Sequence, residues 1–355
     1  MESEQTLLSA ISQITALDAG AMDAARKRQA ELAKPPGSLG LLEDISVQLA
    51  GITGSVKNTI QKTRIYVLAA DNGVVDEGVS SAPQSVTLAQ SINLTRGLTG
   101  ASCLAKHFGD ELVVVDMGIR LPYHCPEIVN RSLGKGTKNF YKDPAMTRAQ
   151  AVAGIAAGMA LAAQAKKDGV SILGVGEMGI GNTTTSSAVL AALTGASIED
   201  VTGRGGGLTD AAFLKKKEVI SHALALHKPD SNDPIDVLSK VGGFDLCAMT
   251  GVFLGAARQR EAMQDVYGAW EELQQLRSKD QELFINDQEL NAQYLDLTTK
   301  ASTLVNLLND AEKCRNAGEV GSALGKYMEA KKLYLYSRFA KEGIESLLNE
   351  VLPLN

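Results

Sequence analysis

Between positions 174 and 185 the chain reads Gly174-Val175-Gly176-Glu177-Met178-Gly179-Ile180-Gly181-Asn182-Thr183-Thr184-Thr185. Glycines let backbone come close to a ligand, and a helix that starts just after them offers free N–H groups to an anion. The threonines and Asn182 add neutral hydrogen-bonding groups, while Glu177 sets one carboxylate among them. Phosphate alone gains nothing from that negative charge. Glu177 therefore points to a second task, such as holding a cationic or N–H-bearing ring and accepting its proton. The same residues also describe a tight strand-to-helix turn with an exposed glutamate, and single glycine-rich loops match by chance. A second stretch, Thr202-Gly203-Arg204-Gly205-Gly206-Gly207-Leu208, precedes a helical pattern carrying Lys215-Lys216-Lys217. Glycine amides beside a lysine suit a phosphate; three consecutive lysines also fit a solvated helix face. A third candidate is Asp71-Asn72-Gly73, directly after an apolar run. It reads either as a strand-end turn or as chemistry at the carboxyl end of a strand.

These candidates need a frame to hold them. Apolar runs at 64–70, 111–119 and 170–173 predict strands, and the second is apolar enough to be covered on both faces and parallel. Between them lie helical patterns at 41–49, from an opening at 81–87 through Gln90 and Asn93 to an end at Thr95-Arg96-Gly97, and at 147–165, the last with Thr147 as N-cap. Strand and helix in alternation predict a parallel sheet with helices on both sides. Residues 5–33 carry Leu7, Leu8, Ile11, Ile14 and Leu17 at helical spacing, and Lys34-Pro35-Pro36-Gly37 breaks that helix. Lys34 there either faces an anion or sits in a plain interhelical connection. Residues 121–145 read as irregular, and 242–257 as a tightly packed helix entered through Gly242-Gly243.

The totals set outer bounds. A chain of 355 residues holds one large or two ordinary domains. With 45% hydrophobic and 21% charged residues and a net charge of -6, a surface dominated by nucleic-acid binding is disfavoured. Cys103, Cys125, Cys247 and Cys314 are dispersed without a CxxC pair, which fits reduced thiols in a cytoplasmic protein. His222 and His227 are five apart, so no metal site is expected. Neither a signal peptide nor a membrane-spanning run is read from the sequence.

Taken together, KPPGSLGLLE from Lys34, AADNGVVDEGVSSAPQSV from Ala69, LTRGLTGA from Leu94, VVDMGI from Val114, GVGEMGIGNTT from Gly174 and KVGGFDLCAMTGVFLGAA from Lys240 resemble one family. It is that of the nicotinate-nucleotide–dimethylbenzimidazole phosphoribosyltransferases of cobamide synthesis. The resemblance covers residues 1–257. It implies a Rossmann-like three-layer α/β core on a parallel sheet, with a small helical N-terminal subdomain and usually a homodimer. It also implies transfer of 5-phosphoribose from nicotinate mononucleotide to 5,6-dimethylbenzimidazole, without metal or cofactor. By the same resemblance Gln90 lines the benzimidazole pocket. Gly176, Glu177, Met178 and Gly179 lie near the substrates, with Glu177 catalytic, and Gly205, Gly206 and Lys216 hold the phosphoribosyl part. Asn72 stands where many members have His.

After Ala257 the resemblance ends. A charged, all-helical region is expected over 258–355, with Leu276, Leu283, Leu290, Leu297 and Leu304 at heptad spacing. The family's base motif has one echo, Gly318-Glu319 followed by Gly321-Ser322-Ala323, which makes Glu319 a second candidate base. The same stretch reads as the turn of a helical hairpin with Ala323 and Tyr327 as packing positions. An alternative function follows: a catalytically incomplete α/β domain whose residues 258–355 bind a helical partner.

Overall fold

The computed structural model describes residues 4–12, 14, 16–261, 288–333, 343, 344 and 347. The chain divides into two compact units, one of residues Met1–Ile14 and Thr59–Gln259, the other of Thr15–Asn58 and Arg260–Asn355.

The first unit is built on a parallel sheet of order β3-β2-β1-β4. Its strands are β1 (Thr63–Ala70), β2 (Glu111–Gly118), β3 (Val129–Asn130) and β4 (Ile172–Met178). The last five residues of both β1 and β2 are buried, which explains their near-continuous apolar sequences. Side chains alternate between faces. Tyr66, Leu68 and Ala70 pack on one side with Val115, Met117, Ile155, Val219 and Phe244. Val67 and Ala69 pack on the other with Val114, Leu94 and Ile119. The helices that make these outer layers include α4 (Val86–Thr95) and α5 (Gly100–Phe108). They are followed by α6 (Arg148–Lys167), α7 (Asn182–Thr194), α8 (Ile198–Val201), α9 (Asp210–His227), α10 (Pro234–Val241) and α11 (Phe244–Glu261). The expected three-layer α/β arrangement is therefore present. Thr147 caps α6 as expected: its side chain accepts from the Gln150 N–H, and the Gln150 side chain returns to the Thr147 backbone.

Three local expectations need correction. The single helix over 5–33 is two, α1 (Glu4–Ser12) and α2 (Ala19–Glu31). Asp18 starts the second by accepting from the Ala21 N–H at 2.9 Å, so a capping residue interrupts the apolar period. Strand β4 runs on through Gly174, Gly176 and Glu177, which places these residues in the sheet and confines the turn to 179–181. Gly174 lies flat against Ile65 of β1: a Cβ on it would stand 3.1 Å from that side chain. The irregular stretch 121–145 contains β3, too short to leave a periodic signal.

In the second unit α2 packs on α3 (Leu41–Thr53) through Ala25, Val47 and Ala50. Lys34 pairs with Glu43 at 2.8 Å, and Glu43 also accepts from the Leu39 N–H. The Lys34 loop is thus the plain interhelical connection. Farther along, α12 (Gln288–Asn316) and α13 (Val320–Leu333) form a helical hairpin. Gly318 makes its turn at φ 77°, and Ala311, Ala323 and Tyr327 are buried between the arms. Leu304 is buried against Leu307 and Ala330, whereas Leu276 and Leu283 lie outside the described residues.

Helices α6 and α11 cross at backbone contact. A Cβ on Gly158 would lie 2.0 Å from the Ala248 carbonyl oxygen, and one on Gly251 would lie 1.9 Å from that of Ile155. Neither neighbour can rotate away, since both are backbone. Gly158→Ala is expected to lower unfolding free energy by about 1–3 kcal/mol in urea denaturation, whereas Gly169→Ala, where a Cβ meets nothing within 4 Å, is expected to cost less, through its positive φ alone.

Candidate functional site

Strands β1, β2 and β4 end side by side, with Ala69 opposite both Asp116 and Met178. The residues that follow gather on one edge of the sheet. Asp116 serves the fold: its Oδ1 accepts from the Gly118 and Ile119 N–H groups and its Oδ2 from the Tyr123 hydroxyl at 2.8 Å. Asp71 is buried. Its Oδ2 accepts from the Arg120 N–H at 2.8 Å, but its Oδ1 has no partner. Burial pushes its carboxyl above the usual range, opposed by the hydrogen bonds it accepts. Asn72, also buried, accepts from the Thr185 hydroxyl of α7 at 3.1 Å.

Glu177 sits opposite Leu68. Its side chain reaches solvent and accepts from the Asn182 amide at the start of α7. Surrounding protein nevertheless pushes its carboxyl up, chiefly by desolvation, with the Asn182 bond pulling the other way. Met178 points to the opposite face of the sheet from Glu177 and packs with Val67, Ala69 and Ile119.

The second glycine stretch follows α8, not a strand. Lys216 joins it to the first. Of the three lysines on α9, Lys215 pairs with Glu218 and Lys217 lies over the Phe213 ring, while Lys216 is wholly buried. Its Nζ donates to Thr183 Oγ1 at 2.8 Å and to the Gly203 carbonyl oxygen at 2.9 Å. Among the described residues it has no carboxylate partner, and desolvation pulls its ammonium down to about 8. Gly205, at φ 54°, leaves only 2.8 Å between a built Cβ and Thr183 Oγ1, and the Gly206 carbonyl accepts from Ser81 Oγ at 3.1 Å. The two glycine turns thus share one side of the unit, around one cation and the first turn of α7. Thr184 and Thr202, with buried hydroxyls that have no partner, belong to the same segments. Such an arrangement can hold a phosphate by charge and by backbone amides, with a carboxylate a few residues away to take a proton.

The structure therefore brings Gly176, Glu177, Gly179, Gly205, Gly206 and Lys216 into one unit at the strand ends. Gln90 is half-buried on α4, its Oε1 facing the Asn93 amide. Glu319 belongs to the second unit, where it is an exposed residue in the turn of the hairpin. Sequence reasoning missed Asp245 and Ser81. Asp245, in the first turn of α11 directly after Gly242-Gly243, was the one with a local signal. A separate cavity of about 410 Å³ lies beyond β2, lined by residues between Ile119 and Lys135, Arg120, Tyr123 and His124 among them; neither glycine turn lines it.

Fold and site together define an α/β protein whose parallel sheet carries two glycine turns and a buried lysine at one edge. The family model for the phosphoribosyltransferases designated DBI_PRT matches residues 14–263, and the chain belongs to that family. It is 48% identical over 255 residues to the nicotinate-nucleotide–dimethylbenzimidazole phosphoribosyltransferase of Ruminiclostridium cellulolyticum, a match covering 72% of each protein. An enzyme of the same name from Clostridium perfringens is 50% identical over 247 residues, covering 70% of this chain and 68% of the relative. The crystal structure of CobT from Thermus thermophilus superposes with a TM-score of 0.64 at 36% identity, covering 68% of this chain and 72% of that one.

The buried lysine has a consequence for stability. Its ammonium is held at about 8 in the native protein, against 10.5 for an ordinary lysine. Between those values the unfolded chain binds the proton and the native one does not, so this group makes stability rise with pH. In phosphate-free buffer, Lys216→Met is expected to be more stable than the parent at pH 7. The difference should shrink as pH rises through that window, followed by urea denaturation.

Proposed function

We propose that this chain transfers 5-phosphoribose from nicotinate mononucleotide to 5,6-dimethylbenzimidazole, giving α-ribazole 5′-phosphate and nicotinate. One observation carries the reading most directly: a buried ammonium without a carboxylate partner among the described residues, on the same side as two glycine turns. Relatives about half identical in sequence bear the name of that activity.

The chemistry follows from the groups present. One ring nitrogen of the benzimidazole attacks C1′ of the ribose with its lone pair. The bond from C1′ to the pyridinium nitrogen breaks, and its electron pair returns to nicotinate, which leaves neutralised at nitrogen and needs no acid. The N–H proton on the other azole nitrogen passes to Glu177, whose raised proton affinity suits that role. Lys216, with the amides of Gly205 and Gly206 and the start of α7, holds the 5′-phosphate. Gln90, Gly176 and Gly179 border the base, while Met178 supports β4 from the face opposite Glu177. No step calls on a metal or a cofactor. The reading extends to a homodimer in the cytoplasm, with residues 1–257 as the transferase domain and 258–355 as an added helical region. No helix among the described residues is long and apolar enough to cross a membrane.

A second reading draws on the exposed Leu295 and Met328 of α12 and α13. It makes the helical region a partner-binding surface attached to an incomplete enzyme. Nicotinate release from nicotinate mononucleotide, with dimethylbenzimidazole present, separates the two. Release is expected from the full chain, reduced about 10²–10⁴-fold by Glu177→Gln and little changed by Glu319→Gln. Binding of the mononucleotide without any release would favour the second reading, and loss through Glu319→Gln alone would move the proton acceptor to the hairpin turn.

A further inference from the structure

Asp245 lies beneath the turn that follows Glu177. It is wholly buried. Its Oδ1 accepts from the Leu246 N–H at 2.9 Å, while its Oδ2 has no hydrogen-bond partner. Two glycines make room for it. A Cβ on Gly243 would stand 2.2 Å from Oδ1, and a Cβ on Gly179 would stand 3.3 Å from Oδ2 and 2.9 Å from Asn72 Nδ2. Gly179 is two residues from Glu177 and directly precedes the turn into α7, so its backbone fixes where β4 delivers Glu177. Asn72 is in turn tied to α7 by the Thr185 hydroxyl. Bare backbone, an amide and a carboxyl are therefore stacked with no side chain between them.

A buried carboxyl in that position costs stability unless it has a use, because an apolar residue of similar size would fill the space without the desolvation penalty. We propose that Asp245 is a positioning residue for Glu177: it braces the Gly179 turn together with Asn72 and Thr185, and its charge is coupled to that of Glu177. The inference rests on the reading of Glu177 as the group that takes the azole proton.

The groups that face Asp245 are few. From β4 comes Glu177; after β1 comes Asn72; from α7 comes Thr185 through Asn72; on α11 itself lies Cys247, a buried thiol pushed up by burial and by Asp245. No cation is among the groups acting on it. Burial first pushes the Asp245 carboxyl up to about 7, helped by the charge on Glu177 and opposed by the Leu246 N–H bond and the nearby Asn72 amide. Two interacting carboxyls lose their protons as a pair. Loss of the Asp245 proton, near neutrality, makes Glu177 a stronger base.

The test is a carboxyl-carbon NMR titration of aspartate-labelled full-length protein, parent and Glu177→Gln, with kcat/KM measured against pH for the parent and Asp245→Asn. In Glu177→Gln, which alters only a solvent-facing group, the Asp245 midpoint is expected to fall. The parent is expected to show an inflection in kcat/KM near 7 that is absent from Asp245→Asn. An Asp245 midpoint unmoved by Glu177→Gln overturns the coupling, whether or not the protein turns over. An inflection that persists in Asp245→Asn overturns it as well. A shifted midpoint in a protein that releases no nicotinate upholds the coupling and rejects only the reading of the reaction.

Discussion

A lysine ammonium taken out of water without a counter-charge is an unusual thing for a protein to keep. Lys216 loses the hydration of its charge and regains, among the described residues, two neutral hydrogen bonds, to Thr183 and Gly203. What that arrangement lacks is an anion. Everything near it is consistent with one arriving: glycines that keep side chains out of the way, the amino end of α7, and unpartnered hydroxyls on Thr184 and Thr202. The sheet serves this point. Three parallel strands end in register, so the turns that leave them emerge on one edge, where the helix termini also converge.

Opposite charges are then divided between two places. The cation sits beneath the second glycine turn. The carboxylates sit at the strand ends, and they are not equivalent. Asp116 is consumed by hydrogen bonds that shape the bend after β2. Asp71 is half satisfied and buried. Glu177 alone among them reaches solvent. In the proposed reaction a donor nucleotide offers a phosphate to the first place, and an azole offers an N–H to the second. The separation of a phosphate seat from a proton acceptor is what a phosphoribosyl transfer needs when the leaving group is already cationic.

Much of this frame was legible in the sequence, for reasons that individual residues make plain. The apolar runs of β1 and β2 announce strands because both of their faces are covered. Thr147 announces α6 because its side chain and that of Gln150 satisfy free amides of the first turn. The motifs of residues 1–257 carried the family resemblance, and the family match bears it out. Other features left no local mark. Lys215, Lys216 and Lys217 look alike as letters, yet successive residues on a helix are about 100° apart, and only the packing of α9 decides that the middle one is inside. Gly174 and Gly176 read as a loop because glycine is common in loops; in the structure they are strand residues, and Gly174 packs tightly against Ile65 of β1. Asp245 showed only as one acidic residue in the first turn of a helix, a common cap-side position, and its burial depends on Asn72 and Gly179, far away in sequence.

The central claim is that Lys216 is held uncompensated to receive the phosphate of the donor, and direct titration of its ammonium tests it. With the lysine side-chain carbons labelled, the Lys216 resonance in the free protein should titrate at about 8. Saturating nicotinate mononucleotide should move that midpoint upward, because a phosphate beside the nitrogen favours its charged form. A midpoint that stays where it was with the nucleotide bound would contradict the account.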